Sequence, residues 1–181
     1  MHTRIAEAKK HLADNHAKLR AAIDAVPTQA RDRRLVADRW SVAEVIEHCA
    51  NVEKAVTRLF ALRLQEAVAN GLRKDPDVSS LWEQRYEAMF LDRGRRVSAP
   101  ERAHPSGTLT ADQAWQELDA ARTAFLAVLD QYDGYALQDL TYPHPLIGEL
   151  NFYQWVFAAG WHEARHALQI VEMLSVDASA N

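Results

Sequence analysis

Apolar residues recur along this chain at alternating steps of three and four in four separate stretches. In the first, Ile5, Ala8, Leu12, Leu19, Ile23 and Val26 predict an amphipathic helix over residues 3–26. It closes before Pro27, because the residue ahead of a proline is pushed out of helical backbone. Val45, Cys49, Val52, Val56, Leu59 and Phe60 predict a second helix, running to about Ala69 and ended by Gly71 and Pro76. Ala114, Leu118, Ala121, Phe125, Val128 and Tyr132 predict a third. The fourth runs from Asn151 to Leu174, with Phe152, Trp155, Ala159, His162, His166, Gln169 and Met173 on one face. Ser41 with Glu44, Thr110 with Gln113, and Asn151 with Gln154 place a capping pair at the start of the last three helices, each residue satisfying a backbone N–H of the other.

The connections are of unequal length. A polar loop, TQARDRRLVADR, follows the first helix. Residues 77–109 are the least regular part: SSLWEQRYEAMFLDR predicts a short helix whose Leu81, Tyr86, Met89 and Phe90 cover the bundle, and a loop follows through Pro105 and Gly107. Residues 133–150 carry Gly134, Pro143, Pro145 and Gly148 and predict a loop with room for a short extended pair. SVDASAN after Leu174 is polar and is expected to fray. Four long amphipathic segments without a convincing strand imply an all-α four-helix bundle. It is read as one domain over residues 1–181, with one long crossover between the second and third long helices.

Composition narrows the function. A net charge of −4 argues against non-specific binding to nucleic acid or to an anionic membrane. The basic runs Arg31, Arg33, Arg34 and Arg93, Arg95, Arg96 fall in loops and read as solvated. A single cysteine, Cys49, rules out an intrachain disulfide and fits a reducing compartment. No apolar run approaches the roughly 20 residues of a membrane span, and the N-terminal residues have no signal-peptide core. The expectation is a cytoplasmic protein with neither nucleic acid nor membrane as partner.

Polar residues in the fourth stripe change the picture. His162, His166 and Gln169 stand where leucines would be expected. A buried polar group without a partner costs about 1–3 kcal/mol, so this cluster is either hydrogen-bonded or holds something. Histidines four apart on a helix present their imidazoles one turn apart and can share a metal ion. Two ligands rarely suffice, and His48, beside the apolar stripe of the second helix, is the best third. Three imidazoles would leave positions open for water or substrate, the pattern of a catalytic site. Glu163, beside His162, is the candidate base or supporting carboxylate, and Glu44, one turn before His48, is a candidate to orient its imidazole. HEARH also matches the H-E-x-x-H pattern of zinc proteases letter by letter, but no third histidine follows it. His11 and His16 read as surface or edge residues, Cys49 as core, and Trp40, Trp155 and Trp161 as packing residues. Tyr142 and His144 fall in the loop expected over the site.

With these residues in place the chain resembles the DinB-like superfamily of metalloenzymes. The resemblance rests on R-W-S-V-A-E-V-I-E-H at Arg39–His48, H-P-L-I-G-E-L at His144–Leu150 and H-x-x-x-H-x-x-Q-I at His162–Ile170, and covers nearly the whole chain. It implies an up-down-down-up bundle with a divalent metal, zinc or nickel, on His48, His162 and His166. It further implies transfer of a low-molecular-weight thiol such as bacillithiol or mycothiol to an electrophilic small molecule, and homodimers. Two other readings stay open: hydrolysis by a metal-activated water, and a bundle that binds a metal or a partner without catalysis.

Overall fold

The computed structural model describes residues 1–36, 38–82, 84–94 and 98–179. Among the described residues five α-helices form in chain order: α1 (Thr3–Asp24), α2 (Val42–Ala69), the short α3 (Gln84–Leu91), α4 (Ala111–Gln131) and α5 (Phe152–Ser179). The extended pair ahead of α5 is a hairpin, β1 (Thr141–His144) and β2 (Gly148–Asn151), antiparallel with Tyr142 opposite Leu150 and His144 opposite Gly148. The segment expected to fray after Leu174 continues as helix to Ser179, while Ala180 and Asn181 lie outside the described residues, as do Arg95 and Arg96 of the second basic run.

Capping chemistry sets where the long helices begin. At Ser41 the hydroxyl accepts from the Glu44 N–H at 3.1 Å and the Glu44 carboxylate accepts from the Ser41 N–H at 2.7 Å. Thr110 and Gln113 make the same reciprocal pair, as do Asn151 and Gln154 at 2.9 Å each way. Each cap contributes about 1 kcal/mol.

Neighbouring helices reveal their directions through the order of their contacts. Along α1 and α5, Arg4 lies over Tyr153, His11 meets Phe157 and His16 meets Glu163, so the two helices run parallel. Glu53 meets Arg122 and Phe60 meets Phe125, so α2 and α4 also run parallel. His48 meets His162 whereas Phe60 meets Phe152, so α2 and α5 are antiparallel. This is the up-down-down-up arrangement, with the long crossover between α2 and α4 carrying α3.

Two apolar clusters fill the bundle. One holds Ile5, Leu12, Phe60, Phe125 and Phe152; the other holds Leu19, Ile23, Val45, Leu118 and Ile170. A polar layer separates them, and each long helix supplies one residue to its centre: His16, Glu53, Arg122 and Glu163. Of the residues expected to cover the bundle, Phe90 on α3 is buried, Tyr86 on α3 and Leu81 ahead of it are half-buried, but Met89 faces solvent.

Sequence context puts both α1 histidines at the surface or an edge; His16 is half-buried, but His11 departs from that expectation. His11 is buried, stacks on the Phe157 ring at 4.4 Å and donates from Nε2 to the Phe157 carbonyl at 3.0 Å. His16 engages Glu163 through Nδ1 at 3.2 Å. Both sit on the flank of α1 that α5 covers, and their partners are polar atoms on a helix remote in sequence. The close approach of α1 and α5 depends on Gly160, where a Cβ would stand 2.4 Å from His11 Nε2. Gly160→Ala should therefore destabilise the protein. Overpacking costs about 1–3 kcal/mol, offset by roughly 1 kcal/mol of helix propensity. A Tm lowered by several degrees in thermal unfolding is the expected result; an unchanged Tm would mean that His11 swings aside freely.

Burial also lowers the His11 pKa from 6.5 to about 4, against the raising effect of its bond to Phe157. Between those values the unfolded chain holds a proton here that the folded chain does not. Stability therefore falls as pH drops through that window. Urea midpoints measured from pH 7 to pH 4 should decline less steeply in His11→Gln than in the parent protein.

Candidate metal centre

The capping box at Ser41 starts α2, and His48 lies on its second turn, buried against the bundle. His162 and His166 stand one turn apart on the facing side of α5, where helical geometry aligns positions four apart. Packing α2 antiparallel to α5 brings the three rings together. His162 Nε2 lies 3.2 Å from His48 Nε2 and 3.2 Å from His166 Nε2. One ligand atom from each histidine falls within 4.8 Å of the others.

The opposite ring nitrogens are occupied. His48 Nδ1–H donates to the Ala103 carbonyl at 2.8 Å, and His166 Nδ1–H donates to Gln169 Oε1 at 2.8 Å. Both partners are acceptors only, so these two imidazoles carry their proton on Nδ1 and present a bare Nε2 lone pair inward. A single proton on His162 Nε2 can reach only one of them. More lone pairs than protons converge, which suits a cation. Imidazole nitrogens at about 2.05 Å in tetrahedral zinc coordination would lie about 3.3 Å apart, close to the two separations seen. The three histidines thus form a cluster able to hold a divalent metal ion.

Electrostatics points the same way. Burial, with repulsion from His48, pushes His166 down to about 3 despite its bond to Gln169. His162 is held well below its ordinary value by burial and by the His166 and His48 rings, and His48 is lowered by burial. Each imidazole is therefore neutral near pH 7, the form that ligates metal. Gln169, the third polar residue of the fourth stripe, orients His166. Partners of this kind are worth about 10–100-fold in metal affinity. Gln169→Leu should weaken zinc binding by that factor in a chelator competition titration; equal affinity would show that the ring needs no such anchor.

The surroundings combine aromatic walls with polar ties. Trp40 packs on the His48 ring with centroids 5.0 Å apart. The hairpin brings His144 against Trp155 at 4.8 Å and Phe90 at 5.6 Å, and a proton on His144 would further disfavour one on His162. His144 Nδ1 accepts from the Leu146 N–H at 3.3 Å, which leaves its proton on Nε2, and burial lowers its pKa to about 4. Tyr142 is exposed, and its carbonyl accepts from the Trp155 indole N–H at 2.9 Å. Trp161 packs in the core against Phe90 and Phe157. Arg93 makes a two-pronged pair with Glu172, and Arg165 donates to the carbonyls of Phe90 and Asp92, tying the end of α3 to α5.

Two carboxylates stand elsewhere than their sequence positions suggest. Glu44 is taken by its capping box and by Arg34 at 2.6 and 3.0 Å; the orienting partner of His48 is instead the Ala103 carbonyl. Glu163 is 1% exposed, and its carboxylate is held by Arg122 at 3.1 Å and His16 at 3.2 Å, outside the three-histidine group. Successive helical residues diverge by about 100°, so His162 and Glu163 serve different faces of α5. The H-E-x-x-H reading would need that carboxylate beside the histidines. Cys49 diverges from His48 in the same way; burial, and then the charges of Glu163 and Glu53, raise its thiol pKa well above the ordinary value, and it is a core residue.

Sequence reasoning overlooks the pair Glu53 and Arg122. The signal was present: Glu53 falls between Cys49 and Val56 on the α2 stripe, and Arg122 between Leu118 and Phe125 on the α4 stripe. Each is a charge where an apolar residue is expected. The Ala103 carbonyl left no such trace, being backbone.

The fold and the site define a four-helix bundle with a three-histidine cluster between its second and last helices. The family model of the DinB superfamily matches residues 11–170, and the chain belongs to that superfamily. It is 28% identical over 141 residues to the uncharacterized protein YuaE of Bacillus subtilis (strain 168), covering 76% of this chain and 78% of that protein. Its fold is similar to the crystal structure of TT2238, a four-helix bundle protein, with a TM-score of 0.55, 21% identity, and coverage of 92% of this chain and 96% of the other.

Proposed function

We propose that this protein is a metal-dependent enzyme that transfers a low-molecular-weight thiol to an electrophilic small molecule. His48, His162 and His166 would hold the divalent cation, zinc or nickel. The observation that carries the metal reading is the convergence of three neutral imidazoles, two of which, His48 and His166, have their outer nitrogens occupied. The thiol reading rests on the likeness to the DinB-like superfamily. A divalent cation there would lower the pKa of a thiol enough to supply thiolate near neutral pH.

The chain's own residues would do the rest. His48 and His166 keep their Nε2 lone pairs inward because Ala103 and Gln169 hold the opposite protons. Trp40 against the His48 ring, with Trp155 and Phe90 packed on His144, would help to exclude bulk water from a reacting thiolate. His144, neutral and protonated on Nε2, would donate a hydrogen bond to substrate. Glu163 is not assigned a proton-transfer role, since Arg122 and His16 already engage its carboxylate.

Metal analysis of the purified, reconstituted protein tests the first half; a screen of thiols with an electrophilic acceptor tests the second. Stoichiometric metal with thiol-dependent turnover is the expected result. Turnover independent of every thiol would favour hydrolysis by a metal-activated water, and a protein that takes up no metal would favour a non-catalytic bundle. A cytoplasmic homodimer is the proposed setting, checked by light scattering on the purified protein and by fractionation of the source cells. Among the described residues no helix is long and apolar enough to cross a membrane.

A further inference from the structure

The crossover between α2 and α4 does more than connect them. A short 3₁₀ turn, Glu101–Ala103, presents the carbonyl that receives His48 Nδ1–H, and Ala103 itself is buried. Three residues on the adjoining surface of α2 grip this segment. His48 takes the Ala103 carbonyl, and Asn51 donates its side-chain amide to the His104 carbonyl at 3.2 Å. Glu47, itself buried, accepts from the Ser106 N–H at 2.9 Å and the Gly107 N–H at 3.3 Å. Gly107 takes φ +72, a left-handed conformation that suits glycine and aims its N–H at the carboxylate.

A backbone carbonyl can orient a ligand only if the backbone is itself held. Short segments outside regular structure have little hydrogen bonding of their own to hold them in place. Here the carboxylate of Glu47 fixes the far side of the turn, three residues beyond the carbonyl that matters. Hydrogen bonds to an ionised acceptor are roughly twice as strong as neutral ones, so this anchor is the firmest of the three.

We propose that Glu47 is a positioning residue for the metal centre: by clamping Ser106 and Gly107 it holds the Ala103 carbonyl against His48, and so sets the tautomer and tilt of that ligand. The inference builds on the metal reading above. It also accounts for a buried carboxylate directly beside a candidate ligand yet turned away from the three-histidine cluster.

The test compares Glu47→Ala and Glu47→Gln with the parent protein. In the metal-free proteins, nitrogen-15 imidazole NMR reports whether His48 keeps a protected Nδ1–H. In zinc titrations against a chelator, the same proteins report affinity. Glu47→Ala should lose the protected signal and bind zinc about 10–100-fold more weakly. Glu47→Gln retains one carbonyl acceptor and should recover part of both. Circular dichroism identifies folded samples; if the alanine variant does not fold, Glu47→Gln and Asn51→Ala carry the comparison, each with an intermediate loss. An unchanged His48 signal with unchanged zinc affinity in a folded variant would overturn the proposal. Should the parent protein bind no zinc, the metal reading fails by itself, while the imidazole signal still decides whether Glu47 controls His48.

Discussion

Arg122→Ala is expected to cost the fold about 3–5 kcal/mol, the usual penalty for breaking a buried ion pair by removing one partner. The guanidinium donates to Glu53 at 2.8 Å, lies 3.1 Å from Glu163 and reaches the Leu12 carbonyl at 2.8 Å. Its loss would leave two buried carboxylates facing each other with only His16 nearby. Burial already raises the Glu53 pKa against the opposing effect of Arg122, so this carboxylate would be driven to take up a proton. Domains of this kind have about 5–15 kcal/mol in total, and urea denaturation at pH 7 should show about a fifth or more of that gone. Replacing the set together, as Glu53→Leu, Arg122→Met and Glu163→Met, should come out near neutral or even stabilising, because no desolvated charge remains. A loss under about 1 kcal/mol in the single variant would mean that water reaches the layer and solvates the carboxylates.

His162→Ala should remove metal binding with little effect on the fold. His162 is the hinge of the cluster, because both 3.2 Å separations involve its Nε2. Four-ligand zinc sites are worth about 10–16 kcal/mol in all, roughly 3 kcal/mol per ligand, so the variant should bind zinc on the order of 100-fold more weakly or worse. His162 keeps part of its surface accessible, so thermal unfolding of the metal-free variant should stay near that of the parent. Competition titration measures the first effect and calorimetry the second. Undiminished zinc affinity would sink the metal assignment.

His162 and Glu163, the carboxylate that Arg122 holds, are neighbours on α5 with opposite meanings. His162 faces α2 and the histidine cluster; Glu163 faces α1 and α4 and belongs to the charged layer. One-dimensional reading places both at the same site because they are adjacent, and only the roughly 100° between successive helical residues separates them. The same reading misplaces His11 and gives no sign of what His16 meets. Their surroundings in α1 are charged, and the atoms that bury them, the Phe157 carbonyl and the Glu163 carboxylate, come from α5.

The sequence by itself determined the four long helices, their capped starts, the long crossover and the three histidines. All of these follow from local rules: helical periodicity places side chains on faces, capping residues satisfy the first turn, and histidines four apart must share a face. Only the tertiary structure decided what each face meets. His48 and His162 are 114 positions apart, and their approach depends on α2 running antiparallel to α5. The partner that orients His48 is a carbonyl on the crossover, and the anchor of that crossover is Glu47. Backbone atoms are the same at every position, so a carbonyl that becomes a functional group leaves no mark in the sequence until the chain is folded around it.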